Sequence, residues 1–149
     1  MKEISDYIYE TLEADPTLRT YTGHSASDTR IFAEFPPEDL TAPYITFDVH
    51  TAGPIPDSEY VQPAQYEDQN VDINVFGSSA DNRDNITERI LELLKDHSFR
   101  TTNYKILRTI LEYDDNITEI HETTGRIDSF RTYMRFRCSH IYKKLESEW

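Results

Sequence analysis

The chain has 149 residues, of which 28 are acidic and 15 basic, so its formal net charge is −13. This length is sufficient for one domain with its own hydrophobic core, and we expect a single domain over residues 1–149. The negative charge disfavours a protein that wraps nucleic acid, because such binding depends on clustered basic side chains.

Two further features bound the class of protein. The only cysteine, Cys138, excludes an intramolecular disulfide framework, and its strand-like surroundings predict a buried side chain. No apolar stretch has the length of a signal-peptide core or a membrane span. The sequence therefore predicts a protein that is made in the cytoplasm and has no membrane partner.

The N-terminal part predicts a helix, a loop and a short strand. Ile4, Ile8 and Leu12 recur at helical spacing, which predicts a helix that ends near Ala14. Residues 17–30 are polar and rich in turn-forming residues, so we expect a loop there. Residues 31–35 then predict a short strand.

A convincing strand and a long loop follow. Ile45, Phe47 and Val49 alternate with polar neighbours and predict a strand over residues 44–51. Residues 52–66 contain three prolines and no periodicity, which predicts an extended loop. Loops of this length in compact domains usually have a function.

The stretch from Tyr66 to Leu94 predicts a strand, a tight break and an amphipathic helix. Its apolar period changes from 2, at Val71, Ile73 and Val75, to 3.6, at Ile86, Ile90, Leu93 and Leu94. The break is Gly77-Ser78-Ser79, and either Ser78 or Asp81 is expected to cap the helix.

The C-terminal part predicts strands joined by short turns. We expect a strand over residues 104–113, a turn at 114–116, a return strand over 117–122 and the longest strand over 127–142. Residues 143–149 form a charged tail. The order of elements predicts an α+β fold, with helices packed on one face of an antiparallel sheet.

The last strand combines an apolar face with a basic one. Phe130, Thr132, Met134, Phe136 and Cys138 alternate with Arg131, Tyr133, Arg135, Arg137 and Ser139. The three arginines are expected either to pair with acids on adjacent strands, such as Glu112 or Glu119, or to meet acids of a second subunit. A nucleic-acid contact is the third and least favoured interpretation.

No motif predicts catalysis, a cofactor or a metal. The five histidines are scattered without metal-ligand spacing, and the four glycines form no phosphate-binding loop. Residues 23–27 look like a nucleophile elbow but lack its second glycine. We therefore expect no catalytic, cofactor-binding or metal-ligating residues.

Four segments together resemble the tail-completion, or tail-terminator, proteins of long-tailed viruses of bacteria and archaea. They are the N-terminal helix EISDYIYETLEA, the strand APYITFDVHTAG, the strand–turn–helix DINVFGSSADNRDNITERILELLKD and the final strand RTYMRFRC. The resemblance covers roughly residues 3–140.

This resemblance implies a structural virion protein rather than an enzyme. It implies a homo-oligomer, a hexameric ring that sits at the head-proximal end of the tail, ends growth of the tail tube and joins tail to head. Its partners would be the tail tube protein and the head–tail connector proteins, and genome DNA would pass through the lumen without specific binding. Such a ring is assembled in the host cytoplasm and located in the virion.

Two sets of residues are predicted to make contacts in such a ring. Arg131, Arg135 and Arg137 are predicted to meet acids of the adjacent subunit. Ile55, Tyr60, Val61 and Tyr66 are predicted to reach a partner ring or the tube.

Three other functions remain open from the sequence. The first is a head-completion or connector ring at the head–tail interface. The second is a small enzyme or ligand-binding α+β domain, which a pocket lined by convergent polar groups would support. The third is a nucleic-acid-binding module, which the negative charge disfavours.

Overall fold

A computed structural model of the chain describes residues 2–54, 66–102, 104–120 and 127–142. The elements are α1 (Lys2–Ala14), α2 (Pro16–Thr22), β1 (Ile31–Ala33), β2 (Tyr44–Pro54), β3 (Tyr66–Gly77), α3 (Ala80–Leu94), β4 (Phe99–Arg100), β5 (Tyr104–Ile120) and β6 (Ile127–Tyr142). No helix in these ranges is long and apolar enough to cross a membrane.

The strands form one sheet in the order β1-β2-β3-β6-β5-β4, so β6 is inserted between β3 and β5. The predicted α+β class is confirmed. The sheet is mixed rather than fully antiparallel, because β1 runs parallel to β2. The connection 34–43 carries the chain back before β2 begins, and this reversal makes the two strands parallel.

One layer of helices covers one face of the sheet, as predicted. Their buried residues are Ile4, Ile8 and Leu12 of α1, Leu18 of α2, and Ile86, Ile90 and Leu94 of α3. Beneath them lie the inward residues of the strands: Ile31, Ile45, Phe47, Val71, Ile73, Val75, Ile106, Met134, Phe136 and Cys138. The residues that recur with period 2 in the strands therefore pack against those that recur with period 3.6 in the helices, in one core.

The start of α3 differs from its prediction by one residue. The cap is Ser79, whose Oγ accepts a hydrogen bond from the backbone N–H of Asn82 at 3.1 Å, and neither Ser78 nor Asp81 has this role. A glycine is required at position 77, two residues before this cap, because a Cβ there would lie 2.6 Å from the backbone nitrogen of Arg83. The strand can therefore pass close to the helix only at a glycine.

The predicted loop over 17–30 is wrong in its first part, where the chain forms α2. Asp15 caps this helix by accepting from Leu18 N–H at 3.0 Å, Pro16 occupies its first turn, and Gly23 ends it at φ 76°. Arg89 of α3 holds the same carboxylate with two bonds of 2.6 and 2.9 Å. The helix has only seven residues, so apolar periodicity could not reveal it.

The predicted turn at 114–116 and return strand from 117 are also wrong. β5 runs unbroken from Tyr104 to Ile120, and at 17 residues it is longer than the 16-residue β6, whose predicted bounds are confirmed. β5 pairs with β6 over its whole length, with irregularities near Leu111 and at two other points. This ladder outweighs the local turn preference of Asp114-Asp115-Asn116.

The predicted 52–66 loop is shorter than expected at both ends. β2 continues to Pro54, and β3 already begins at Tyr66, whose backbone pairs with Ile141. Ile55, Tyr60 and Val61 lie outside the described residues. So do residues 121 and 122 of the predicted return strand and the 143–149 tail.

Candidate assembly face of the sheet

The second face of the sheet is free of helices in the described part of the chain, and we call it the open face. It carries Asp68, Asn70, Asp72, Asn74 and Phe76 of β3, and Arg131, Tyr133, Arg135, Arg137 and Ser139 of β6. The predicted division of β6 is confirmed, since Thr132, Met134, Phe136 and Cys138 point into the core.

Asp72 is the centre of a hydrogen-bond network on this face. Its Oδ1 accepts from Arg135 Nε at 2.7 Å and from the Tyr133 hydroxyl at 2.9 Å. Its Oδ2 lies 2.6 Å from His50 Nε2 and accepts from Arg135 Nη2 at 3.2 Å. Groups from β2, β3 and β6 are therefore tied together through one carboxylate.

This network keeps Asp72 ionised. Burial alone would raise the pKa of Asp72, but hydrogen bonds from Arg135, His50 and Tyr133 outweigh burial and lower the pKa below its ordinary value of 3.8. Burial, and then the bond to Asp72, raises the pKa of Tyr133. The phenol therefore stays protonated and donates to the carboxylate.

The other two arginines also have partners on their own sheet. Arg137 Nε lies 3.1 Å from Glu112 Oε1 on β5 and 3.8 Å from Asp68 Oδ2 on β3. Arg131 donates two hydrogen bonds to Asn74 Oδ1, at 2.9 and 2.6 Å. Cross-strand pairing, one of the three interpretations given for Arg131, Arg135 and Arg137, therefore occurs, and Glu112 is a partner as predicted.

The arginine side chains still reach solvent. Arg135 keeps 36 % of its side-chain surface exposed and Arg137 keeps 42 %. Beside Arg137 on β3, Asn70 is buried, and its Oδ1 has no hydrogen-bond partner among the described residues. The intramolecular pairs therefore leave part of this surface available for other contacts.

Sequence analysis missed an aromatic row at one end of the open face. The rings of Tyr44 and Phe76 stack with centroids 4.5 Å apart, and Phe32 meets Tyr44 edge-on at 6.5 Å. The guanidinium carbon of Arg131 lies 5.6 Å from the centroid of Phe76. The alternation of residues 44–49 predicts that the Tyr44 side chain points away from the core. Its stacking with Phe76 depends on the register between β2 and β3, which the sequence does not give.

The histidine–serine segment that looked like a nucleophile elbow closes a helix instead. Gly23 is the left-handed cap of α2, and His24 is buried with its Nδ1 accepting from Arg30 N–H at 3.0 Å. Within the described residues, no group of three or more His, Cys, Asp or Glu side chains is arranged to hold a metal. Burial raises the pKa of the Cys138 thiol to about 11, so this group stays protonated.

The chain is similar in fold to one chain of a solved structure, although comparisons of its sequence found no match. No protein-family model matches the sequence, and no curated protein matches it. A solved structure described as the virion of a native gene transfer agent particle contains a similar chain. The TM-score is 0.64 at 15 % identity, over 90 % of this chain and 91 % of that chain. A likeness at this identity shows a shared fold.

We expect Asp72→Asn to destabilise the fold by about 1–2 kcal/mol at pH 7, because it removes the charge that Arg135 and Tyr133 donate to. The value is modest because the donors reach solvent. The folded pKa lies below 3.8, so the carboxylate stabilises the fold above that pH and loses this effect as pH falls through the folded pKa.

Urea unfolding of both proteins from pH 7 to pH 2.5 measures this difference. Asp6→Asn, which changes an exposed carboxylate of α1, is the matched control and should leave stability unchanged. An equal loss for Asp72→Asn at pH 7 and at pH 2.5 would contradict the role of the ionised carboxylate.

Proposed function

We propose that this protein is a structural subunit of a tailed-virus-like particle and that copies of it close into a ring. Within such particles, the best-supported position is the head-proximal end of the tail tube, where the ring ends tube growth and joins tail to head. The observation that carries this proposal is the fold shared with a gene transfer agent virion component over nine tenths of both chains. The four segments quoted above support it independently.

The architecture suits assembly. One sheet face is covered by helices, whereas the open face carries partly exposed arginines and an aromatic row. Arginine and aromatic side chains are enriched in protein–protein interfaces. A head-to-tail contact between such copies closes a ring and limits its own growth.

The charge suits a ring through which DNA passes. Each copy has a net charge of −13, so a ring would repel the DNA backbone instead of holding it. Its partners would be the tail tube protein on one side and the head–tail connector proteins on the other. No cofactor and no catalytic step belong to this role.

The test is the native mass of the purified protein in low and in near-molar salt, with negative-stain images of the same samples. We expect a six-fold ring with an open centre and six times the 17.5 kDa mass of one chain. High salt should favour the ring, because it screens the repulsion between acidic copies. A monomer at every salt and protein concentration would contradict the proposal.

We propose that Arg131, Arg135 and Arg137, which we call the arginine strip, contribute to contacts between copies. We expect Arg137→Gln to reduce the fraction of protein in rings, measured by light scattering, while the melting temperature changes little. Arg137 is 42 % exposed, so loss of its own ion pairs costs about 1 kcal/mol or less.

Glu112→Gln is the matched control, because it breaks the same ion pair within the subunit but leaves the arginine in place. Rings should persist in this variant. If both variants lose rings to the same extent, the ion pair acts within the subunit only and Arg137 makes no contact with a neighbour.

A further inference from the structure

The outer edge of β2 is only partly covered by the described part of the chain. β1 and the residues next to it pair with its first half, where Ile45 N–H donates to Arg30 O at 2.8 Å and Glu34 N–H donates to Phe47 O at 2.7 Å. Glu34 then adopts a φ of 79°, and the chain leaves the sheet. Groups facing one edge recur at every second residue, so Val49 turns its N–H and C=O the same way.

No described strand lies beside this second half of β2, residues 48–54. A cavity of about 260 Å³ adjoins the point where β1 stops, lined by the start of α1, the end of β1 and Val49. An uncovered strand edge of this kind presents free hydrogen-bonding groups to another strand.

The outer edge of β5, on the opposite side of the sheet, is covered for a short stretch only by residues that the structure describes. β4 pairs with residues 105 and 106, and Thr109 N–H donates to His97 O at 2.9 Å. Beyond that point, residues 110–120 have β6 on one side and no described strand on the other. Among the residues that the structure describes, β2 and β5 therefore each leave part of one edge unpaired.

The outward groups of β5 follow from its pairing with β6. Ile110 pairs with Arg137, and Tyr113 pairs with Arg135. Thr109 directs its N–H outward, so the N–H and C=O of the next residue, Ile110, face β6. Because Arg137 and Arg135 lie two residues apart on β6, the N–H and C=O of Tyr113 face β6 as well. Asp114, which follows Tyr113, therefore turns its N–H and C=O outward. β5 runs antiparallel to β2, since β2, β3, β6 and β5 are antiparallel neighbours in turn.

We propose that the 110–120 edge of β5 pairs with the 48–54 edge of β2 in the next copy of this chain, so that one sheet continues from subunit to subunit. The inference rests on the ring proposed above and specifies its junction. The occupant is a second copy because the two open edges lie on opposite sides of one sheet and run in opposite directions. A head-to-tail ring then uses one edge of each kind per copy and leaves neither exposed.

The acidic side chains at this junction make the proposed pairing depend on ionic strength. Glu112, Asp114 and Asp115 are exposed on β5, and Asp48 is exposed on β2. These acids oppose pairing at low ionic strength, and salt removes the opposition. The next copy's β2 would lie two strand spacings, about 10 Å, from β6, within the range of its arginines.

The test uses Val49→Pro and Asp114→Pro, each of which removes one outward N–H. Proline is tolerated at a strand edge where the N–H faces outward. Val49→Ala and Asp114→Ala shorten the same side chains but keep the N–H, so they are the matched controls. All proteins are measured by light scattering under the conditions in which the wild type forms rings.

Each proline variant alone should be a 17.5 kDa monomer, and both alanine controls should form rings. An equimolar mixture of the two proline variants should give a 1:1 dimer and nothing larger, because only one competent junction remains. The dimer itself would show that both variants are folded. Rings from either proline variant, or dimers of one variant alone, would overturn the junction while leaving the ring in place.

If a proline variant does not fold, hydrogen exchange of the wild type decides. The amides of Val49 and Asp114 should exchange at least ~10-fold more slowly in the ring than in the low-salt monomer. Equal exchange in both states would overturn the junction. A wild type that forms no ring at any salt would overturn the ring and the junction together.

Discussion

The pairing of β3 with β6 determines what each face of the sheet carries. Its register places Val71 and Ile73 beside Phe136 and Met134 under the helices, and it places Asp72 beside Arg135 on the open face. A shift of one residue would exchange the two faces of β6 and bury three arginines. The hydrophobic core and the polar network therefore select the same register.

This register also explains why the open face is ordered. Because Asp72 is held by donors from β2 and β6, the polar side chains of three strands share one arrangement rather than moving independently. An open face with fixed side chains is better prepared for a partner than one that must be ordered on binding. The same contacts mean that the arginines serve their own sheet first, and any contact with a neighbour uses the part that remains exposed.

Insertion of β6 between β3 and β5 has a second consequence. It leaves β2 and β5 toward the two sides of the sheet, where β1 and β4, the strands that the structure describes beside them, cover only part of their length. Long strands with short covers are unusual in a protein that stays monomeric, since open edges promote association. The proposed ring closure through these edges would give the short outer strands a physical reason.

Much of the fold could be predicted from the sequence. Alternation located the inward faces of β2, β3 and β6, and helical spacing located α1 and α3. The errors arose where a local signal competed with distant contacts. The Asp114-Asp115-Asn116 segment favours a turn locally, yet pairing with β6 holds it in a strand, and α2 depends on Arg89, 74 residues beyond Asp15. The arginine strip was visible in the sequence, whereas the identity of Asp72 as its partner required the register.

The measurement that tests the central claim most directly is electron cryomicroscopy of the assembled protein, at a resolution that separates strands. We predict a closed ring in which every copy contacts its neighbours head to tail, with the sheet continuous across each junction and the helices on one side of it. A two-fold symmetric dimer, or an assembly held together through the helix layer with both sheet edges free, would contradict it.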